Sequence, residues 1–286
     1  MFVGVDWGTT NFRAYLFDGE TVIDQIESDQ GILNVSNFRD GIDGLLQCWE
    51  SVPVVFSGMI GSSKGWYETP YQRVPISYSD IAGGLCDISS IWGREAYILG
   101  GLDQQKNHHN YDVMRGEEVQ IIGLRDHIIG ETTVILCGTH SKHVSLNLEG
   151  VTSFQTFLTG ELFSLLQKHS ILAGPIEYDE KDFLLGVKHS QDATLLTNLF
   201  SVRSLFLSQS IQYPRAFLSG LLIGTELRTL RDSTSRNHLL IGSSSLIPFY
   251  EQAYETLFSV KINSIVSDDC NVKGYITLAK YLGWLE

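Results

Sequence analysis

Apolar and polar positions change period several times along the chain, and each change marks a structural element. FVGV (2–5) and FRAYLF (12–17) are short apolar runs separated by an acid, a glycine and two threonines, which predicts two strands joined by a turn. Asp18-Gly19 is a hairpin signal, so ETVIDQIE (20–27) reads as the third strand of a meander. The same succession returns in TVILCGTHSKHVSLNLEGVTSFQTFL (133–158): an apolar strand, a turn at Gly138-Thr139, the strand HVSLNL, a turn at Glu149-Gly150 and a third strand. Gly8-Thr9 then falls on Gly138-Thr139, and Gly19 on Gly150 after a one-residue insertion. A unit that starts near residue 1 and again near residue 133 predicts two duplicated halves that face each other.

Helical periodicity appears at 37–50 and 115–125, with strands at 53–61 and 95–101. The second half carries helical patterns at 160–169, 191–208 and 214–230, a strand at 238–242, and a helix that begins near Leu246. Strands alternating with helices make the chain α/β. No Pro-rich linker or charge block marks a boundary, so the division follows the repeat, into residues 1–131 and 132–286.

At 286 residues and 43% hydrophobic content the chain buries a sizeable core, enough for one large or two medium domains. Its 33 acidic against 20 basic residues, a formal charge of -13, argue against nucleic acid as a partner. MFVGVDWG lacks a basic segment followed by an apolar stretch, and no apolar run is long enough to span a bilayer; the expectation is a cytoplasmic protein with no membrane partner. A homodimer is allowed by the sequence. Cys48, Cys86, Cys137 and Cys270 are scattered without a CxxC pair, which reads as reduced core thiols. His108-His109, in the polar stretch QQKNHHNYD, reads as a solvated loop rather than a metal site. SGLLIGTE (219–226), with small residues at helical spacing, reads as close helix packing.

The chemistry lies where strands stop. A strand followed by Gly-Thr leaves backbone N–H groups clustered beside hydroxyls, and such a nest suits phosphate oxygens. Two such loops at equivalent places in two halves suit the β- and γ-phosphates of a nucleotide. Asp6, at the end of the first strand, is placed to hold a magnesium ion through water. Taken singly, these turns are ordinary hairpins and Asp6 a cap. The patterns GxxxxGK[ST] and GxGxxG are both absent, so any phosphate grip is of another type.

DWGTTNFRAYL, SGMIGSSKGW, DVMRGEEVQIIG, CGTHSK and TGELF, in this order and over nearly the whole chain, resemble the 2-dehydro-3-deoxygalactonokinase family of the sugar kinase, Hsp70 and actin superfamily. His143, where an aromatic residue commonly follows the lysine, and Tyr111, where a proline is common, depart from that pattern. The resemblance implies duplicated actin-like (ribonuclease H-like) domains with an ATP cleft between them. It further implies ATP and Mg2+ as cofactors, and transfer of the γ-phosphoryl group to the C6 hydroxyl of 2-dehydro-3-deoxy-D-galactonate in galactonate catabolism. Another sugar or sugar-acid kinase, or a non-catalytic nucleotide-binding regulator, are the rival readings.

Carried over by motif, Asp6 is the magnesium-associated carboxylate, Gly8, Thr9, Thr10 and Asn11 form the first phosphate loop, and Gly138, Thr139, His140 and Ser141 form the second. Arg13 and Lys142 are cations near these loops. Gly242 and Ser243 fall where the superfamily contacts adenosine. The sugar acid falls to Ser57, Gly58, Met59 and Ile60, with Lys64 and Trp66 in the same loop. The general base comes from DVMRGEE: Glu117 ranks first and Asp112 second, with Arg115 on substrate or phosphate. Glu118 lies about 100° round a helix from Glu117, so the two do not share one direction.

Overall fold

In the computed structural model the first meander forms as its alternation requires. Residues 1–49, 52–107, 110–175, 177–192, 194–232 and 237–286 are described; the His108-His109 pair lies outside them. Strands β1 (Phe2–Trp7), β2 (Phe12–Asp18) and β3 (Thr21–Ser28) pair antiparallel, with Asp6 opposite Arg13. Val3, Val5, Trp7, Phe12 and Ala14 are buried on one side of this meander. Helix α1 (Phe38–Leu45) begins at Asn37, whose side chain accepts from the Arg39 and Asp40 amides. The helical pattern expected over 37–50 stops at Leu45, since Gly41 and Gly44 weaken the helix from within.

Strand β4 (Val54–Ser57) then runs parallel to β1 and sets Ser57 beside Asp6. The chain continues through β5 (Tyr71–Arg73), β6 (Ile76–Ser77), α2 (Tyr78–Gly83), β7 (Leu85–Asp87), α3 (Ser89–Trp92), β8 (Ala96–Leu99), β9 (Gly101–Asn107), β10 (Asn110–Met114) and α4 (Glu117–Gly123). The main sheet has the order β3-β2-β1-β4-β8-β7, and β10-β9-β5 form a separate small sheet.

The repeat follows as β11 (Thr132–Leu136), β12 (Ser141–Leu146) and β13 (Gly150–Phe157), then helices α5 (Thr159–His169), α6 (Glu180–His189), α7 (Leu195–Leu207) and α8 (Pro214–Leu227). Strand β14 (Asn237–Gly242), helix α9 (Ile247–Phe258), strand β15 (Asn263–Val266) and helix α10 (Ser267–Tyr281) complete the chain. The order β15-β14-β11-β12, with β14 parallel to both β11 and β15, repeats the order β8-β4-β1-β2 of the first sheet. Duplication is therefore visible in strand order as well as in turn chemistry.

The contacts divide the chain into two compact units, one of residues 1–130, 146–154 and 267–286, the other of 131–145 and 155–266. A cut at residue 131 places α10 in the wrong half. The reason is local: a Cβ on Gly274 or on Gly123 would overlap the backbone carbonyl of Val119 or Cys270, so α4 and α10 cross at glycines with their backbones in contact. Among the described residues no helix is long and apolar enough to cross a membrane.

Candidate active site

In the first unit the ends of β1 and β4 and the start of α4 meet at two glycines. Gly58, immediately after β4, has φ +89°, and Gly116, immediately before α4, has φ +113°. A Cβ on Gly58 would lie 3.1 Å from Asp6 Oδ1, and one on Gly116 would lie 3.3 Å from Gly58 Cα. Bare backbone at both positions lets the acids of two elements converge.

Burial pushes the Asp6 carboxyl up to about 6; Arg13 opposes the shift, while Glu117 and Asp268 add to it. Glu117 Oε2 accepts from the Arg115 amide at 3.1 Å and the side chain is half-buried. Glu118 points elsewhere and is buried, its Oε2 accepting from the Gly116 amide at 2.6 Å and its Oε1 without a hydrogen-bond partner among the described residues. Burial first, and Glu117 second, push Glu118 up to about 7. Asp112 lies on β10, not in the helix, and its carboxylate accepts from the Val113 amide at 2.9 Å.

The turn after β1 is held by its carbonyls. Those of Gly8, Thr9 and Thr10 accept from the amides of Ile32, Leu33 and Gly31 at 3.0, 3.3 and 3.2 Å. Because a trans peptide sets C=O and the next N–H in opposite directions, the amides of Thr9, Thr10 and Asn11 point away from that contact, beside two exposed threonines. Arg13 lies 3.5 Å from Asp268 Oδ1 and 3.6 Å from Glu27 Oε1. Asp268, in the first turn of α10, also accepts from the Tyr15 hydroxyl at 3.3 Å. Sequence reasoning missed Asp268; its one signal is an acid at the start of a helix.

The loop after β4 offers less side chain than its sequence suggested. Ser57 Oγ is 2.7 Å from the Tyr275 hydroxyl and donates to the Val5 carbonyl, Ile60 is buried, and Met59 and Ile60 lie in a short turn that leaves backbone as their contribution. Lys64 is exposed, whereas Trp66 packs edge-on against Phe56 and Trp92. Arg115 holds this loop closed: its guanidinium bonds the Thr69 hydroxyl and, at 3.0 Å, the Thr69 carbonyl, and lies 4.4 Å over the Tyr71 ring.

In the second unit Gly138, Thr139 and His140 connect β11 to β12, and the start of α5 abuts them. The Glu161 amide donates to the Thr139 carbonyl at 2.9 Å, and the Glu161 carboxylate pairs with His140. Ser141 and Lys142 are buried, the Lys142 ammonium donating to the His140 carbonyl at 3.1 Å. Beside the loop opens a cavity of about 460 Å3, walled by Phe163, Ile223, Phe249 and Tyr250 and reaching Gly138 and Thr139. Its size suits a nucleoside. Gly242 is buried against Cys137, and Ser243 uses its carbonyl to begin α9; Ser245 and Leu246 are the residues of that turn that line the cavity.

The profile of the 2-keto-3-deoxy-galactonokinase family matches residues 6–278. The chain belongs to that family. It is 31% identical to the 2-dehydro-3-deoxygalactonokinase of Escherichia coli over 290 residues, 97% of each chain. Against the crystal structure of a candidate 2-dehydro-3-deoxygalactonokinase from Sinorhizobium meliloti, the TM-score is 0.90 at 32% identity, covering 99% of each chain. The (R)-2-hydroxyglutaryl-CoA dehydratase component A of Acidaminococcus fermentans matches at TM-score 0.54 and 12% identity, over 99% of this chain and 98% of that one, a likeness of fold alone. That fold is the actin-like α/β type.

For a 2-keto-3-deoxy-galactonokinase family chain the acids of the first unit are informative. Among the described residues no three His, Cys, Asp or Glu side chains form a ligand set for a metal. Asp6, whose charge is disfavoured by burial and by two neighbouring acids, fits a site where a cation supplies the missing compensation.

Proposed function

We propose that this protein transfers the γ-phosphoryl group of ATP to the C6 hydroxyl of 2-keto-3-deoxygalactonate, giving the 6-phosphate and ADP. The observation that carries this reading is the convergence of Asp6 and Glu117 about Gly58, in a chain that matches a 2-keto-3-deoxy-galactonokinase profile from residue 6 to residue 278.

Glu117 accepts the proton of the C6 hydroxyl as that oxygen bonds the γ-phosphorus; the bond from the γ-phosphorus to the β–γ bridging oxygen breaks, and its electron pair leaves on ADP. The amides and hydroxyls of Gly8–Asn11 and of Gly138–Thr139 receive phosphate oxygens. The cavity walled by Phe163, Ile223 and Phe249 takes the nucleoside. Asp6 would hold Mg2+ through water, which supplies charge neutralisation on the phosphates. Arg13 offsets charge near the first loop, and Lys142 steadies the second by its bond to the His140 carbonyl. The backbone of Gly58, Met59 and Ile60 binds the sugar acid, with Lys64 available to its carboxylate. The reaction is one of soluble metabolites, and we place it in the cytoplasm.

A coupled ADP-release assay with Mg-ATP tests this against 2-keto-3-deoxygalactonate, 2-keto-3-deoxygluconate, galactonate and galactose. Turnover with the first substrate alone is expected. Equal turnover with galactose overturns the acceptor, and nucleotide binding without turnover on any of the four overturns the reaction.

A further inference from the structure

Helix α8 carries a glutamate that no step above uses. Glu226 is 2% exposed, and its carboxylate accepts four hydrogen bonds. Ser141 Oγ donates to Oε1 at 2.5 Å and His143 Nε2 to the same oxygen at 3.1 Å; Tyr250 OH donates to Oε2 at 2.9 Å, together with Thr159 Oγ1. A carboxylate has about four lone-pair sites, and here each meets a donor. The donors are not scattered. Ser141 is the residue on which the Gly138–His140 loop re-enters β12, and His143 lies two residues on, toward the same face. Thr159 opens α5, whose Gly160 backs the loop so closely that a Cβ there would lie 2.6 Å from the Gly138 carbonyl. Tyr250 and Thr159 both line the cavity.

We infer that Glu226 is the positioning residue of the second phosphate loop: one buried carboxylate holds the stem of the loop and the helix start behind it, so that the loop's amides and Thr139 meet the nucleotide's phosphates already in place. This rests on reading Gly138–Ser141 as a phosphate loop. Glu226 touches no reacting atom. Its role is preorganisation, and its loss weakens the grip on phosphate more than the grip on the nucleoside. A glutamate that merely supports the fold would act on both alike.

The test is calorimetric binding of a non-hydrolysable ATP analogue and of adenosine to the full chain, with thermal melts and steady-state kinetics. Glu226→Gln keeps the shape but turns an NH2 group toward the donors. Analogue affinity is expected to fall about tenfold or more, because the NH2 group replaces an oxygen that accepts two of the four bonds, with adenosine affinity and the KM of the sugar acid within about twofold. Equal weakening of analogue and adenosine, or no weakening in a folded variant, overturns the inference. Should Glu226→Gln not fold, Ser141→Ala decides on the same comparison with an expected loss of about threefold. Gly138→Val separates the underlying reading, because a side chain there meets nothing within 4 Å of its Cβ and fills only the open side of the loop. If that variant binds the analogue normally, the phosphate-loop reading falls and the inference with it. If it loses binding while Glu226→Gln and Ser141→Ala keep theirs, only the inference falls.

Discussion

Gly58 stands against Asp6: any Cβ at residue 58 would lie 3.1 Å from Asp6 Oδ1 and 2.8 Å from the Trp7 carbonyl, on a backbone with φ +89°. The position where β4 ends is therefore closed to side chains both by conformation and by space. Gly58→Ala is expected to cost about 1–3 kcal/mol of stability from backbone strain, read as a lowered thermal midpoint. On the proposed role of Asp6 at the phosphates it should also lower kcat by at least about tenfold, since the methyl displaces that carboxylate. Kinetics at saturating ATP check the second part.

The two acids at the start of α4 separate by orientation. Glu117 is half-buried and near enough to Asp6 to raise its pKa, whereas Glu118 is turned into the interior. Glu117→Gln should reduce kcat by about 100-fold or more while analogue binding stays within about twofold. Asp112→Asn, on its strand, should leave kcat within about twofold. Near-normal turnover of Glu117→Gln would remove it as the base and return attention to Asp112 or Glu118.

Acid titration should show the cost of gathering these carboxyls. Asp6 rises from 3.8 to about 6 and Glu118 from 4.5 to about 7, both chiefly through burial. The folded chain binds these protons more tightly than the unfolded chain. Their contribution to stability is thus full below the ordinary values and is lost as pH rises through 6 and 7. Asp6→Asn should accordingly be more stable than the parent at pH 8, by roughly 1–2 kcal/mol, with the difference vanishing near pH 4. Activity runs the other way: kcat/KM of the parent should fall below about pH 6, where Asp6 gains its proton. Denaturant midpoints of both proteins across pH measure the first effect.

What could be read in advance follows from the reach of each signal. Alternation in FVGV and FRAYLF, and the glycine turns after them, are local, so the meanders and their duplication were legible. Helix α10 was not, because its buried face mixes Tyr275 and Leu278 with the small or polar Cys270, Asn271, Gly274 and Ala279, which breaks up the apolar stripe. The fate of Ser57 depends on Tyr275, 218 residues away, and that of Ser141 on Glu226, 85 residues away. Sequence spacing carries no trace of such partners. SGLLIGTE read as packing because its glycines dominate the pattern, and the acid at its end is the part that matters to the loop.

Arg115 ties the loop after β4 to the start of α4. Its guanidinium makes two bonds to Thr69 and lies over Tyr71, and Thr69 in turn donates both its amide and its hydroxyl to the Gly61 carbonyl, at 2.9 and 3.1 Å. The loop from Gly58 to Thr69 is thereby closed on itself and tied to the residue two before Glu117. A lysine keeps the charge but loses the fork and the flat face, so Arg115→Lys is not conservative here. If that loop binds the sugar acid, the KM for the sugar acid should rise about tenfold or more, while the KM for ATP changes less than about twofold. A rise confined to the KM for ATP would instead place the guanidinium on phosphate.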